Sequence, residues 1–225
     1  MKTLLLAHFL FITIAACAEF PPAEHILSKM SKAYAQAKSY QDSGKVTVYT
    51  HGGRPVSEVR FSTRFVRPTN YSFTTFLRPS LPAGEGGDIE LSILANSSGT
   101  FLKFDDAVES VPNIAHAHGA IVGAAKRAGD LTWRLLMPDA AGPSHLVSGS
   151  TVVAEESIDE VPCYRIRALH PGLGECEIWI GVIDNLLRKL RFKTPSFTTE
   201  EVHRTIEMNK NIPEKDFLLK HQSSP

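Results

Sequence analysis

Val56-Ser57-Glu58-Val59-Arg60-Phe61-Ser62-Thr63-Arg64-Phe65-Val66-Arg67-Pro68, resumed by Tyr71-Ser72-Phe73-Thr74-Thr75-Phe76-Leu77, is the stretch that decides the fold. Val59, Phe61 and Phe65 alternate with Glu58, Arg60 and Arg64, the period of two expected of a strand with one apolar face. Arg67-Pro68 interrupts the run, and Tyr71, Phe73, Thr75 and Leu77 restore the alternation. Upstream, residues 45–51 read as another strand, joined through the turn signal Gly52-Gly53. Three strands with short connections make an antiparallel meander.

Working outward, Pro21-Pro22 precedes a segment with Ile26, Leu27, Met30, Ala33, Tyr34 and Ala37 on one face and Lys29, Lys32, Gln36 and Lys38 opposite. That spacing predicts an amphipathic helix ending near Ser39 to Gly44. Residues 78–88 hold Pro79, Pro82 and three glycines and read as a loop. Residues 89–95 and 100–104 form a hairpin around Asn96-Ser97-Ser98-Gly99, and residues 112–128 and 131–137 read as one or two helices closed by Pro138 and Gly142. Strands then return at 147–155, 161–169, 176–180, 186–193 and 202–208, with turns at Pro171-Gly172 and Asp184-Asn185. Twist accumulates over so many consecutive strands, and free edges are a hazard. The expectation is an α+β fold: an incompletely closed antiparallel β-barrel of about 10–11 strands, with an N-terminal helix and a helical insertion plugging its concave face.

Lys2, the apolar run from Leu4 to Ile14, and Ala15-Ala16-Cys17-Ala18 have the three zones of a secretory signal peptide, so residues 1–18 are set apart from a single domain over 19–225. Two endings compete. Ala16-Cys17-Ala18 fits cleavage that releases a chain beginning at Glu19, whereas Ile14-Ala15-Ala16-Cys17 resembles a lipobox, which would lipidate Cys17 and attach the domain to a membrane. Either ending predicts an exported chain. The ~207 residues that remain are ample for one core. Twenty-four basic residues balance twenty-four acidic ones, so no overall field draws a nucleic acid.

A family resemblance rests on Ile26-Leu27-Ser28-Lys29-Met30, the Ser39-Tyr40-Gln41-Asp42-Ser43-Gly44 junction, Phe65-Val66-Arg67-Pro68 with Tyr71 and Phe73, Trp179-Ile180 before a turn, and Asn209-Lys210-Asn211-Ile212-Pro213 followed by Phe217. These pieces resemble the bacterial lipoprotein-carrier fold, the LolA and LolB superfamily, and most of all its uncharacterised envelope members. The resemblance implies an open barrel with helices at its mouth around an apolar cavity for acyl chains. It also implies a part for Arg67 in ligand transfer.

Read from the residues, Phe61, Phe65, Tyr71 and Phe73, with Ile89, Leu91 and Ile93 on the next strand, form a wide apolar surface that a barrel would turn inside. Alternation alone leaves open whether that surface encloses a ligand or packs on helices. Trp133, in the insertion, reads as core or as a ligand contact; Trp179, out of phase with Ile178 and Ile180, reads as outer-face cover or a packed residue. His116-x-His118 has the wrong spacing for chelation on a helix, so no metal is expected. No Gly-x-Ser-x-Gly elbow, phosphate loop or selected carboxylate pair stands out, which predicts a non-enzyme with no cofactor. Cys163 and Cys176 fall on opposite faces if their strands pair with apolar faces aligned; a disulfide then requires a bulge or wider loop, and two inert thiols are the alternative. The reading is an envelope protein that binds or carries a lipid, acyl chain or lipoprotein. Its alternative is a structural or interaction protein with a filled core.

Overall fold

The structure is a computed structural model that describes residues 20–77, 88–141, 148–170 and 174–219. The signal segment with Cys17, most of the 78–88 loop and the Pro171-Gly172 turn lie outside the described residues. One helix, α1 (Ala23–Gln36), precedes six strands: β1 (Ser39–Thr50), β2 (Pro55–Val66), β3 (Asn70–Leu77), β4 (Ile89–Asn96), β5 (Gly99–Phe104) and β6 (Ala107–Val111). The helices α2 (Ile114–Ile121), α3 (Asp130–Leu136) and α4 (Pro138–Ala141) follow. Then come β7 (Ser148–Ile158), β8 (Val161–His170), β9 (Gly174–Gly181), β10 (Leu187–Lys193), β11 (Phe197–Met208) and a 3-10 turn at Glu214–Phe217.

Among the described residues, eleven strands form one antiparallel sheet in the order β6-β5-β4-β3-β2-β1-β11-β10-β9-β8-β7. Two meanders meet where the first strand pairs with the last, so the middle of the sheet is the β1–β11 seam. The sheet is not closed: β6 and β7 are its two edges, and α2, α3 and α4 make the connection between them. The expected strand count holds. The addition is β6, whose Ala107 to Ser110 are exposed and give no alternation to read.

One face collects the apolar rows. The registers Phe65–Tyr71, Thr63–Phe73 and Phe61–Thr75 align β2 with β3, and Phe73–Ile93 and Thr75–Leu91 carry the row to β4. Across the seam, Ile178, Ile180, Leu187, Leu190 and Ile166 continue the same face. Ile26, Leu27, Met30 and Tyr34 of α1, with Ala117 and Ile121 of α2 and Trp133 and Leu136 of α3, pack into this one core. Gly44 is required here: a Cβ at that position would come within 2.4 Å of both Phe61 Cζ and the Val202 carbonyl oxygen. The opposite face carries charge, except where the C-terminal segment lays Ile212 and Phe217 on Leu94, with Asn96 Nδ2 donating to Phe217 O at 2.7 Å.

The helix α1 opens behind Pro22, whose carbonyl accepts from His25 N at 3.0 Å, with Glu24 in the first turn where the helix dipole favours it. It stops at Gln36 because Ala37 turns extended, and Ser39 to Gly44 belong to β1 and not to the tail of the helix. The expectation of a helix running on toward that segment is corrected. Tyr40, Asp42 and Gly44 do alternate inward, but two of the three are not apolar, so the period was concealed. In the insertion, α2 starts on the Asn113 side chain, which accepts from His116 N at 2.9 Å. Gly129 precedes α3 with φ 68°, and a Cβ there would sit 2.8 Å from the Phe73 ring, so the close approach of insertion to sheet also requires glycine.

Candidate functional site

The predicted cavity residues come together. Phe61, Phe65, Tyr71, Phe73, Leu91, Ile93 and Trp133 are all buried, and Ile89 is half-buried beside them. Phe61 and Phe73 stack at 6.1 Å. His118 of α2 enters this group instead of pairing with His116. Its Nε2 lies 2.9 Å from the Tyr71 hydroxyl, and its ring stacks on Trp133 at 4.3 Å. Burial lowers the His118 pKa to about 3, so this imidazole is neutral and serves as a flat polar bridge between insertion and sheet. Trp133 Nε1 donates to Asp130 Oδ1 at 3.3 Å, which satisfies the indole.

Arg67 sits at the end of β2, in the cis Arg67-Pro68 turn. Its Nε donates to Ala37 O at 2.8 Å, and its Nη2 donates to Tyr34 O at 3.2 Å and to Leu136 O at 3.0 Å. Those three carbonyls lie at the C-terminal ends of α1 and α3, where a helix carries partial negative charge, and that of Tyr34 also accepts from Ala37 N at 3.1 Å. One guanidinium therefore ties two separate helices to the same corner of the sheet.

A second set of residues gave no sign in the sequence. At the seam, Asp42 of β1 and His203 and Glu201 of β11 are buried together on the apolar face. His203 Nδ1 is 2.6 Å from Asp42 Oδ2, and Nε2 is 2.8 Å from Glu201 Oε1, the latter a close charge contact and not an aligned hydrogen bond. The Tyr40 hydroxyl donates to Asp42 Oδ2 at 2.8 Å, and Gly129 N of the insertion donates to Glu201 Oε1 at 3.2 Å. Burial alone would lower the His203 pKa. The hydrogen bond to Asp42 and the Glu201 carboxylate outweigh it and raise the value to about 10, so the ring is an imidazolium.

Local backbone explains why this set was hidden. Between the Gln41–Glu207 and Ser43–Arg204 pairs the register shifts, so that two β11 residues lie opposite Asp42. Thr205, within that bulge, takes φ 46°, a strained value for a β-branched residue. The bulge inverts the phase: Glu201 and His203 point inward while Val202 is left half-exposed. Hydrophobic alternation would have chosen the other set.

The remaining sequence candidates resolve plainly. Cys163 and Cys176 are free and buried, five positions apart in the β8–β9 register and on opposite faces. Burial pushes both thiols up, Cys176 to about 11. Trp179 lies on the outer face, buried beneath Lys189 and Arg191, which sit 5.0 and 5.2 Å from its ring. Around it Arg191 reaches Glu177 at 3.0 Å and Glu200 at 2.6 Å. Two grooves, of 570 and 710 Å³, are bordered by residues such as Arg167, Glu177, Arg191 and Glu200 or Arg60, Glu90, Lys103 and Asp105. Neither touches the predicted cavity residues. Among the described residues no group of three or more His, Cys, Asp or Glu is placed to hold a metal ion, and no helix is long and apolar enough to cross a membrane.

No protein-family model matches the chain, and no curated protein is significantly similar to it. Among solved structures it is similar to LprF from Mycobacterium bovis, at 14% identity and TM-score 0.48 over 85% of this chain and 97% of that one. It is also similar to the Mycobacterium tuberculosis lipoprotein LppX, at 13% identity and TM-score 0.47 over 84% of this chain and 96% of that one. A LolA superfamily protein from Nitrosomonas europaea aligns at 11% identity and TM-score 0.38 over 89% of this chain and 99% of that one.

Proposed function

We propose that this is an exported envelope protein of the periplasm, a non-enzyme that takes up a lipid or acyl chain between the apolar face of its sheet and the helices covering it. The domain is residues 19–225. The signal segment ends either at Cys17 as a lipidated anchor or after Ala18 as a released chain. The observation that carries the reading is the Arg67 clasp: two helices from distant parts of the sequence are fastened over the Phe65 and Tyr71 rows by bonds from one side chain to backbone carbonyls. The edges β6 and β7 are joined by the insertion and not by a ladder, so α2 and α3 can lift without breaking strand pairing. An acyl chain entering there replaces helix contacts with its own, at about 25 cal/mol per Å² of apolar surface buried.

A second reading, an interaction protein with a filled core, is favoured by one observation. His118 and Trp133 occupy the space over Tyr71 and Phe73. Titration with a fluorescent fatty-acyl probe separates the two. The carrier reading expects saturable uptake that Phe65→Asp abolishes in a variant retaining its circular dichroism spectrum. Unchanged uptake in that folded variant contradicts the pocket assignment.

A further inference from the structure

We infer that Asp42, His203, Glu201 and Thr63 form a recognition site for the protonated amine of an amphiphile whose apolar part lies along the Phe61 and Phe73 rows. This rests on the carrier reading above and specifies its ligand.

The cluster lies at the centre of the sheet on the same face as those aromatic rows, with the His203 ring 5.3 Å from that of Phe61. It sets two carboxylates against one imidazolium, so it is one cation short of balance. It also leaves buried polar atoms unpaired, His203 Nε2 among them. Among the described residues Asp42 Oδ1 is buried with no partner, and so is the hydroxyl of Thr63, a residue only 1% exposed whose register position on β2 is directly opposite Asp42. Leaving such groups unpaired is costly, an arrangement that persists where something else supplies the bond or the strain serves a purpose.

The contact between Glu201 and Gly129 N is the insertion's own hydrogen bond to this cluster. When α3 lifts, Glu201 gives up that donor, and the floor of the opened space presents carboxylate oxygens and a threonine hydroxyl in an apolar surround. An ammonium is the complement: a compact cation with three donors and no acceptor. A carboxylate or phosphate head would meet Asp42 and Glu201 with like charge, and a neutral hydroxyl would recover a hydrogen bond without the charge term. Both imidazole nitrogens face carboxylates, which leaves the ring to orient them.

The test uses matched dodecyl chains, the amine, the alcohol and the carboxylate, each competing against a neutral fluorescent acyl probe on the full mature protein at neutral pH. The expected result is that dodecylammonium displaces the probe at about tenfold lower concentration than dodecanol or laurate. Glu201→Gln brings amine and alcohol within about twofold of each other, and Thr63→Val, which keeps its volume and cannot unbalance the buried charges, narrows the gap in the same direction. If laurate or dodecanol competes as well as the amine, the amine site is wrong and the pocket stands. A preference for the amine that persists in both variants likewise overturns the assignment to these residues. If neither the neutral probe nor any of the three chains binds, the carrier reading falls and this inference with it.

Discussion

His203→Ala lowers the free energy of unfolding by about 3–5 kcal/mol, the cost of removing the cation from between two buried carboxylates. Among the described residues, Asp42 and Glu201 then keep the Tyr40 hydroxyl and the Gly129 amide as hydrogen-bond donors and no cation between them. Against a domain stability of about 5–15 kcal/mol, this is a large fraction. Urea unfolding followed by tryptophan fluorescence reads the change. A loss below about 1 kcal/mol would mean the cluster is not charged as described.

The same side chain sets a pH dependence of definite sign. The groups facing it are Asp42 and Tyr40 from β1, Glu201 from β11 and, beyond Tyr40, Tyr34 from α1. Its pKa is raised in the folded protein from 6.5 to about 10. The stability it contributes is therefore complete below pH 6.5 and is withdrawn as pH climbs toward 10. Wild-type stability should decline across that window more steeply than that of His203→Ala, and the two curves should converge at its upper end.

The second large effect belongs to Arg67. Arg67→Leu removes three hydrogen bonds from a guanidinium to helix-terminal carbonyls, and because the side chain keeps much of its surface in water the expected loss is about 2 kcal/mol. The loss is local. Amide hydrogens of the last turns of α1 and α3 should exchange faster in the variant, while those of the β2–β3 ladder keep their protection. Acyl-probe uptake should quicken as well, because the closed arrangement of the helices is the one being weakened. Exchange that rises uniformly over the sheet would show that Arg67 supports the fold as a whole and does not fasten the helices.

Most of the sheet was legible in the sequence. Where a strand keeps apolar residues in phase, as Val59, Phe61 and Phe65 do, alternation alone placed the strand and its inner face. Turn chemistry located the joints, Gly52-Gly53 and Asp184-Asn185 among them; Asp184 Oδ1 there accepts from Leu186 N at 3.0 Å. The Arg67 clasp was half legible. A resemblance singled out the residue, while its partners are backbone carbonyls of helices that no pattern places beside it. The seam cluster was illegible for a physical reason. Asp42, His203 and Glu201 point inward at the polar steps of their strands, and a bulge on β11 reverses the phase that the apolar residues announce. A polar residue in an inward position carries no hydrophobic signature. What betrays it is the register, which exists only once β1 and β11 have met.

The most direct measurement is mass spectrometry of solvent extracts from protein purified without detergent from its own cell envelope. The account predicts a recurrent amphiphile at near one equivalent per chain, lost when Phe65→Asp is purified in the same way. Protein that comes out empty in repeated preparations, and that fails to take up acyl probes afterwards, would contradict the claim that the helices cover a place for a ligand.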